Sequence, residues 1–243
     1  MKFKHEANVI ATREYVRDKL KISHGHSYCT VCGRVEQKFI SGGVVIKRPN
    51  AKCPNCGSLE RHRLLWLYLF DQAWPRLSAS KVNLLHVAPE TFFSDKLISR
   101  PDVNYISGDL TMSGAMVRLD LTNMVFWDNQ FDLILCSHVL EHIPDDMLAM
   151  SELYRTLKYG GVLVVMVPIY GSNTYEDPLI IDPRERLKIF GQEDHVRKYG
   201  RDIRERLEGA GFRVRFWPER NDIAPEVSAF ICSKNCFVIE CLK

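Results

Sequence analysis

Two stretches near the middle of the chain decide the fold: Phe131-Asp-Leu-Ile-Leu-Cys-Ser-His-Val-Leu-Glu-His-Ile-Pro-Asp145 and Leu153-Tyr-Arg-Thr-Leu-Lys-Tyr-Gly-Gly-Val-Leu-Val-Val-Met-Val167. The apolar runs Phe131–Cys136 and Gly161–Val167 are short and rich in branched residues, which is typical of buried strands. A helix is predicted between them, over Asp145–Leu157. A strand, a helix and a second strand in this order predict two parallel strands of one sheet.

The same alternation extends outward from this unit in both directions. Further strands are predicted at Val82–Val87, Val103–Ser107, Met116–Leu119, Phe212–Trp217 and Cys236–Cys241, and further helices at Thr91–Ile98 and Arg201–Ala210. The pattern predicts an α/β domain over residues 80–243 with a doubly wound, mostly parallel sheet. In such sheets ligands bind at the carboxyl ends of the strands.

Four cysteines before this domain form the pattern C-x2-C-x20-C-x2-C: Cys29, Cys32, Cys53 and Cys56. Two residues between thiols let one tight turn direct both sulfurs at one ion, and the following glycines, Gly33 and Gly57, suit that turn. The pattern predicts a structural Zn²⁺ site with four thiolates and no open position. Residues 26–58 are therefore predicted to form a zinc ribbon of short hairpins, after an N-terminal helical lead over 1–25. A linking helix is predicted within 59–79, with residues 59–72 as its strongest part.

Charge and hydropathy indicate where the protein is located and what it can bind. The net charge is +3, but residues 1–63 carry 13 basic and 5 acidic side chains. This basic segment fits either an anionic partner or a small, well solvated module. The N-terminus shows no secretory pattern, and the apolar run at 161–169 is too short to cross a bilayer. A cytoplasmic protein without membrane contact is expected, in which close cysteine pairs favour metal over disulfides.

The two central stretches, in this order and spacing, resemble the class I S-adenosylmethionine-dependent methyltransferases over residues 80–243. Together with the Cys53-Pro-Asn-Cys56-Gly knuckle and the Arg61-His-Arg-Leu-Leu65 helix, they resemble a bacterial subgroup that carries zinc-ribbon heads. The resemblance implies a Rossmann-like, seven-stranded sheet whose last strand is antiparallel. It also implies S-adenosylmethionine as cofactor and an enzyme that transfers a methyl group.

Several residues are then expected to bind the cofactor. Asp109 follows the predicted strand Val103–Ser107, at a position where a carboxylate can accept hydrogen bonds from two ribose hydroxyls, and Gly108 is expected to allow close approach. Asp120 matches the family position that contacts the adenine amino group, and the Leu121 amide lies next to it. For both acids the alternative is a carboxylate that caps a turn.

The first loop of the domain departs from the family pattern. This loop is usually rich in glycine, whereas Leu84-Leu-His-Val-Ala-Pro-Glu90 has none. Ala88 is its smallest residue, His86 stands where many relatives have an acid, and Glu90 is expected to face the ammonium or sulfonium of the cofactor. A fold that has lost its cofactor is the alternative at this loop.

Catalytic candidates cluster in two places. Ser137 and His138 follow the fourth strand, and His138 is expected to face both cofactor and acceptor. His195 and Tyr199 lie four residues apart, on one face if their segment is helical. They belong to an insertion, 168–199, which either covers the cofactor pocket or is a crossover without chemistry.

Three functions fit these features. The first is in-line methyl transfer to an oxygen or nitrogen of a small-molecule or saccharide acceptor, with the ribbon as a pocket wall or a homodimer contact. The second is an RNA methyltransferase whose basic module, including Lys47, Arg48, Arg61 and Arg63, binds RNA. The third is a non-catalytic interaction protein on a vestigial fold.

Overall fold

The computed structural model describes residues 27–43, 47–77, 79–111, 114–218 and 236–243. The lead segment predicted over 1–25, with its helix, lies outside these residues. The described residues divide into two compact units: the first takes those within 27–77 together with 217–218 and 236–238, and the second takes those within 79–216 together with 239–243. The predicted domain begins at residue 80 and includes residues 217–218 and 236–238, which belong to the first unit.

The first unit contains two small hairpins and one buried helix. Strand β1 (Ser27–Tyr28) pairs antiparallel with β2 (Val35–Glu36), and β3 (Ile40–Gly42) pairs antiparallel with β4 (Arg48–Lys52). Helix α1 (Glu60–Tyr68) continues into a π-helical turn, Leu69–Ala73, and a 3-10 turn, Trp74–Arg76. Every residue from 62 to 70 is buried. A helix buried all round belongs to a core, so α1 is the centre of this unit.

The second unit alternates strands and helices as the sequence predicts. Its elements are β5 (Val82–Val87), α2 (Thr91–Ile98), β6 (Val103–Asp109), β7 (Val117–Arg118), β8 (Phe131–Ser137), a 3-10 turn (Leu140–His142), α3 (Asp146–Thr156), β9 (Leu157–Met166), β10 (Tyr175–Glu176), α4 (Pro183–Phe190), β11 (Arg197–Lys198), α5 (Ile203–Gly209), β12 (Arg213–Trp217) and β13 (Val238–Leu242).

Seven of these strands form one sheet in the order β12-β13-β9-β8-β5-β6-β7. Strands β7, β6, β5, β8 and β9 run parallel, and β13 runs antiparallel to β9. The sheet confirms the predicted doubly wound α/β fold with its antiparallel last strand. Its interior is apolar, since residues 133–136 and 162–165 of β8 and β9 are all almost completely buried.

Some predicted bounds were wrong. Strand β9 begins at Leu157 rather than Gly161, because Leu157 already pairs with Phe131 of β8. The third strand keeps only Val117–Arg118 of the predicted Met116–Leu119. Helix α3 starts at Asp146, because Asp145 is its cap and accepts a hydrogen bond from the Leu148 amide at 2.9 Å.

No helix in the described part of the chain combines the length and the hydropathy that a membrane span requires.

Candidate functional site

The central strand β5 brings the predicted cofactor residues to one edge of the sheet. Val87 near its carboxyl end is in register with Gly108 of β6 on one side and with Cys136 of β8 on the other. The residues that follow these positions, Ala88, Asp109 and Ser137, therefore lie along one edge. The strand order reverses between β5 and β8, which is where doubly wound sheets bind ligands.

The first loop uses an alanine in a conformation that glycine favours. Ala88 has φ of +48°, in the left-handed region. Its amide donates to the Gly108 carbonyl at 2.8 Å, which ties the loop to β6. The sequence shows that glycine is missing here, but the turn is made without it.

His86 is fully buried beneath this loop. Its Nδ1 lies 3.0 Å from the Tyr105 hydroxyl and its Nε2 lies 3.1 Å from Glu90 Oε2. Both ring nitrogens are thus occupied within the protein. His86 positions Glu90, which precedes α2 and stays partly exposed at the sheet edge.

Asp109 and Asp120 each close a local turn. Asp109 Oδ1 accepts from the Thr111 amide at 2.7 Å and the Thr111 hydroxyl at 2.6 Å. Asp120 Oδ1 accepts the same pair of bonds from Thr122, which lowers the pKa of its carboxyl. The turn-capping role and ligand binding can coexist, because each carboxylate has a second oxygen.

The expectation for Gly108 needs a correction. A side chain at this position would collide with Leu119, whose Cδ2 would be 2.5 Å from the added Cβ. The space left by the missing side chain is therefore filled by Leu119 and not by a cofactor. Leu121, two residues later, is buried.

Ser137 and His138 lie where β8 ends. The Ser137 hydroxyl is buried and has no hydrogen-bond partner within the described residues. His138 has φ of +57°, and its amide donates to the Met166 carbonyl of β9 at 2.7 Å. Its side chain is 30 % exposed, with Nδ1 3.3 Å from Glu141 Oε1. A strained backbone at a strand end, with an accessible imidazole, is typical of a functional position.

His195 and Tyr199 do not share a helix face, because β11 (Arg197–Lys198) lies between them. Tyr199 is buried and donates to Asp146 Oδ2 at 2.6 Å. Burial raises the pKa of its phenol well above the ordinary value. His195 lies elsewhere, with its ring centre 4.6 Å from that of His142. The structure therefore brings His195 near His142 and Glu141, and gives Tyr199 a bond within the fold.

Sequence reasoning missed the role of Arg197. This buried side chain donates to the carbonyls of Leu140, Ile143 and Pro144, and also to Glu176 Oε2 at 2.7 Å. It therefore fixes the turn after β8 from a strand more than fifty residues later. The insertion that contains it forms the two-stranded ladder β10–β11 and helix α4.

In the first unit the four predicted cysteines come together. The four sulfurs lie within 4.8 Å of one another, with Cys29 and Cys56 3.7 Å apart and Cys32 and Cys53 3.8 Å apart. Four sulfurs held about 2.3 Å from a tetrahedral Zn²⁺ are about 3.8 Å apart. The spacing therefore fits one zinc ion with four thiolates.

The two knuckles are built alike. The Gly33 amide donates to the Cys29 carbonyl at 2.8 Å, and the Gly57 amide donates to the Cys53 carbonyl at 2.9 Å. Both glycines have positive φ, +73° and +79°. This repeated turn directs each pair of sulfurs to the same point, as the spacing predicts.

A buried guanidinium supports the cluster. Arg63 is 1 % exposed and donates to the carbonyls of Ala51 and Ser58 at 3.0 and 3.1 Å. The Ser58 hydroxyl in turn lies 3.2 Å from the sulfurs of Cys29 and Cys56. Arg63 thus braces the second knuckle from inside the unit and is not available to an outside partner.

Comparisons with known proteins match part of the second unit to one family. Residues 94–165 match the family model described as a methyltransferase domain. The match spans most of α2 to β9 and begins after the glycine-free loop. This part of the second unit is therefore similar to methyltransferase domains, in agreement with the resemblance drawn from the sequence.

The curated relatives align over short stretches. An uncharacterized protein of Methanocaldococcus jannaschii is 44 % identical over 48 residues, which are 20 % of this chain and 21 % of that protein. The demethylmenaquinone methyltransferase of Paenarthrobacter aurescens is 27 % identical over 136 residues, which are 53 % of this chain and 45 % of that enzyme. The chain thus spans about a fifth to a half of the length of these relatives.

Solved structures of low sequence identity are also similar. A SAM-dependent methyltransferase from Archaeoglobus fulgidus has a TM-score of 0.47 and 16 % identity, covering 70 % of this chain and 89 % of that one.

Proposed function

We propose that this chain is an S-adenosylmethionine-dependent methyltransferase of the class I type. The observation that carries the proposal is the family match on a sheet whose ligand-binding edge collects Ala88, Asp109 and His138. Sheets of this kind bind ligands at that edge, and the residues gathered there are of the types the cofactor requires.

The cofactor is proposed to lie across β5, β6 and β8. Asp109 would accept hydrogen bonds from the ribose through Oδ2, and Asp120 with the Leu121 amide would face the adenine. Ala88 would let the methionine part approach the backbone, with Glu90, positioned by His86, near its ammonium. Ser137 and His138 would face the methyl end.

Methyl transfer needs little chemistry from the protein. When bound, S-adenosylmethionine would supply an activated methyl group, which an oxygen or nitrogen of the acceptor would take as the carbon–sulfur bond breaks to give the neutral thioether S-adenosylhomocysteine. The protein's contribution is alignment and exclusion of water. His138 is the proposed base for a proton on the acceptor, because its imidazole is accessible at the strand end. No part in the transfer step is proposed for His195 and Tyr199, the other two candidates, because Tyr199 donates to Asp146 within the fold and His195 packs against His142.

The cysteine cluster is proposed to bind a structural Zn²⁺. Cys29, Cys32, Cys53 and Cys56 supply four thiolates at the spacing that a tetrahedral ion requires. Because all four positions are taken by protein, the ion would stabilise the fold and leave no position for a substrate. A reducing, cytoplasmic setting is proposed on the same ground, since such thiols need protection from oxidation.

A small-molecule or saccharide acceptor is favoured over RNA by the basic residues of the first unit. Arg63 is buried, and Arg48 forms a two-point ion pair with Glu60 at 2.9 and 3.1 Å. Of the four residues that would contact RNA phosphates, one is therefore buried and another is paired with a carboxylate at the surface. The ribbon itself is proposed to form a wall of the acceptor pocket or a homodimer contact.

The cofactor proposal is tested with Asp109→Asn and a matched control. The new amide keeps the oxygen that accepts from Thr111, but the second carboxylate oxygen and the charge are lost. We expect unchanged folding and S-adenosylmethionine binding weakened about 10–100-fold, measured by calorimetric titration. Asp177→Asn changes the same group in a similar turn, where Oδ1 accepts from Leu179, and should leave binding unchanged. Equal affinity in both variants would refute the assignment of Asp109.

The acceptor is tested by following a labelled methyl group. The protein is incubated with radiolabelled S-adenosylmethionine and a cell extract, and the product is separated into RNA and small-molecule fractions. The proposal predicts that the label appears in the small-molecule fraction and that the amount there is the same with and without ribonuclease treatment. Label in the RNA fraction would establish the second function instead.

A further inference from the structure

A cluster of three side chains beside the sheet edge has the character of a metal site. One ligand atom from each of Glu141, His142 and His195 lies within 4.8 Å of the other two. Two of the residues belong to the 3-10 turn after β8, and the third comes from the segment between α4 and β11. The cluster lies in the second unit, whereas the four cysteines lie in the first.

The buried carboxylate of Glu141 gives the strongest indication of a bound cation. The residue is 1 % exposed, and neither carboxylate oxygen accepts a hydrogen bond from any described residue, although His138 Nδ1 is 3.3 Å from Oε1. A buried carboxylate without hydrogen bonds costs several kcal/mol, on the order of the cost of an unpaired buried charge. Such a group is stable when a cation binds it.

His195 likewise has a buried polar atom that lacks a hydrogen bond to any described residue. It is 2 % exposed, its Nε2 has no hydrogen-bond partner among the described residues, and its other ring nitrogen bonds the Phe190 backbone. Metal-binding histidines commonly donate one N–H to a carbonyl while the opposite nitrogen binds the ion.

The surrounding residues hold this arrangement in place. His142 Nδ1 lies 3.1 Å from Asp194 Oδ2, a carboxylate–histidine pair of the kind that orients metal ligands. The Val196 amide donates to the Glu141 carbonyl at 2.9 Å, which ties the His195 segment to the turn. Arg197 then fixes the carbonyls on both sides of that turn.

We infer that Glu141, His142 and His195 bind a divalent transition-metal ion, with His138 at the exposed side of the site. Two imidazoles and one carboxylate suit ions such as Mn²⁺, Fe²⁺, Co²⁺ or Zn²⁺, and three protein ligands leave positions open. Since His138 is the residue proposed to face the acceptor, an acceptor oxygen is a suitable further ligand. Only this last step rests on the proposed function.

The test counts metal ions in the full-length protein. Protein with its cysteine cluster filled is dialysed to equilibrium against micromolar ZnCl₂, and zinc per chain is measured by elemental analysis. Wild type is expected to hold two ions, and Glu141→Gln and His195→Gln one. Glu185→Gln, an exposed residue of α4, serves as control and should hold two. One ion in wild type would overturn the inference, as would two in Glu141→Gln.

Two further readouts separate loss of the site from loss of folding. Metal-free Glu141→Gln should melt at or above the temperature of metal-free wild type, because it removes a buried charge. MnCl₂ should raise the melting temperature of wild type but not of the variant, since thiolate clusters bind Mn²⁺ poorly. An equal rise in both proteins would place the ion elsewhere. These assays contain no S-adenosylmethionine, so failure here leaves the proposed methyltransferase function standing.

Discussion

Ala88 shows how the first loop turns without glycine. Its φ of +48° places an L-residue in the left-handed region, which costs roughly 1–2 kcal/mol for a residue with a Cβ. The hydrogen bond from its amide to Gly108 holds it there. The loop thus makes a left-handed turn with the smallest side chain that is not glycine.

Replacing this residue tests the strain directly. Ala88→Gly is expected to raise the free energy of unfolding by about 0.5–1 kcal/mol, since relief of strain exceeds the entropy that glycine adds to the unfolded chain. The measurement is urea denaturation. Ala149→Gly in helix α3 is the control and should lower stability by about 1 kcal/mol or more. A loss in both variants would contradict the strained conformation of Ala88.

Tyr199 has a bond that accounts for its burial without catalysis. Tyr199→Phe removes the 2.6 Å hydrogen bond to Asp146, whose carboxylate also accepts from Arg206 at 3.0 and 3.1 Å. We expect a loss of about 2 kcal/mol in unfolding free energy and an unchanged turnover number below the melting temperature. Tyr159→Phe, on the surface, should change stability by less than about 0.5 kcal/mol. A large drop in turnover at full folding would restore Tyr199 as a catalytic residue.

The sequence predicted the position of a residue when that position depends only on its neighbours in the chain. Asp109 and Asp120 follow predicted strands, and their place at the sheet edge results from that pattern. The burial of Glu141 does not, because it depends on His195 and Arg197, which reach the turn from a distant segment. The role expected for Gly108 was wrong for a related reason, because the side chain of Leu119 fills the space beside Gly108 that the cofactor was expected to approach.

At the scale of elements, apolar runs located the strands of the main sheet. Their ends were less predictable, because pairing extends some strands and shortens others. Strand β9 starts earlier than predicted because its first residues already pair with β8. Strand β7 is shorter than predicted, with only two residues, which pair with β6. The ladder β10–β11 within the insertion escaped prediction, since two-residue strands leave no periodic pattern.

The cysteine knuckles are the elements that depend most on glycine. Gly57→Ala places a Cβ on a residue with φ of +79°, which costs about 1–2 kcal/mol even though the nearest atom, Lys52 Cε, is 3.6 Å away. We expect faster zinc release to a chelator and a lower melting temperature. Gly209→Ala in helix α5 meets only ordinary contacts and should be neutral or slightly stabilising. Unchanged zinc release in Gly57→Ala would contradict the role assigned to this turn.

At the scale of the whole molecule, the RNA alternative rests on basic residues of which two are engaged within the protein. The basic count of residues 1–63 includes Arg63, which is buried, and Arg48, which is paired. We expect weak binding to structured RNA at low salt and little change in affinity with salt, measured by fluorescence anisotropy. Tight binding with a steep salt dependence, lost on neutralising Lys47 and Arg61, would contradict this expectation.

The division into two units was only half predictable. Composition changes near residue 80, and the structure divides there. The place of residues 217–218 and 236–238 in the first unit has no counterpart in composition, because it depends on contacts between segments far apart in sequence. The fold class and the cysteine cluster, by contrast, rest on patterns that are local and repeated.

The central claim is that the edge formed by β5, β6 and β8 binds S-adenosylmethionine. Its most direct test is calorimetric titration of the full-length wild-type protein with S-adenosylhomocysteine, the product of transfer. The account predicts one molecule bound per chain, with stabilisation of about 2.7 kcal/mol at a ligand concentration 100 times Kd. No heat of binding and no rise in melting temperature at millimolar ligand would contradict it.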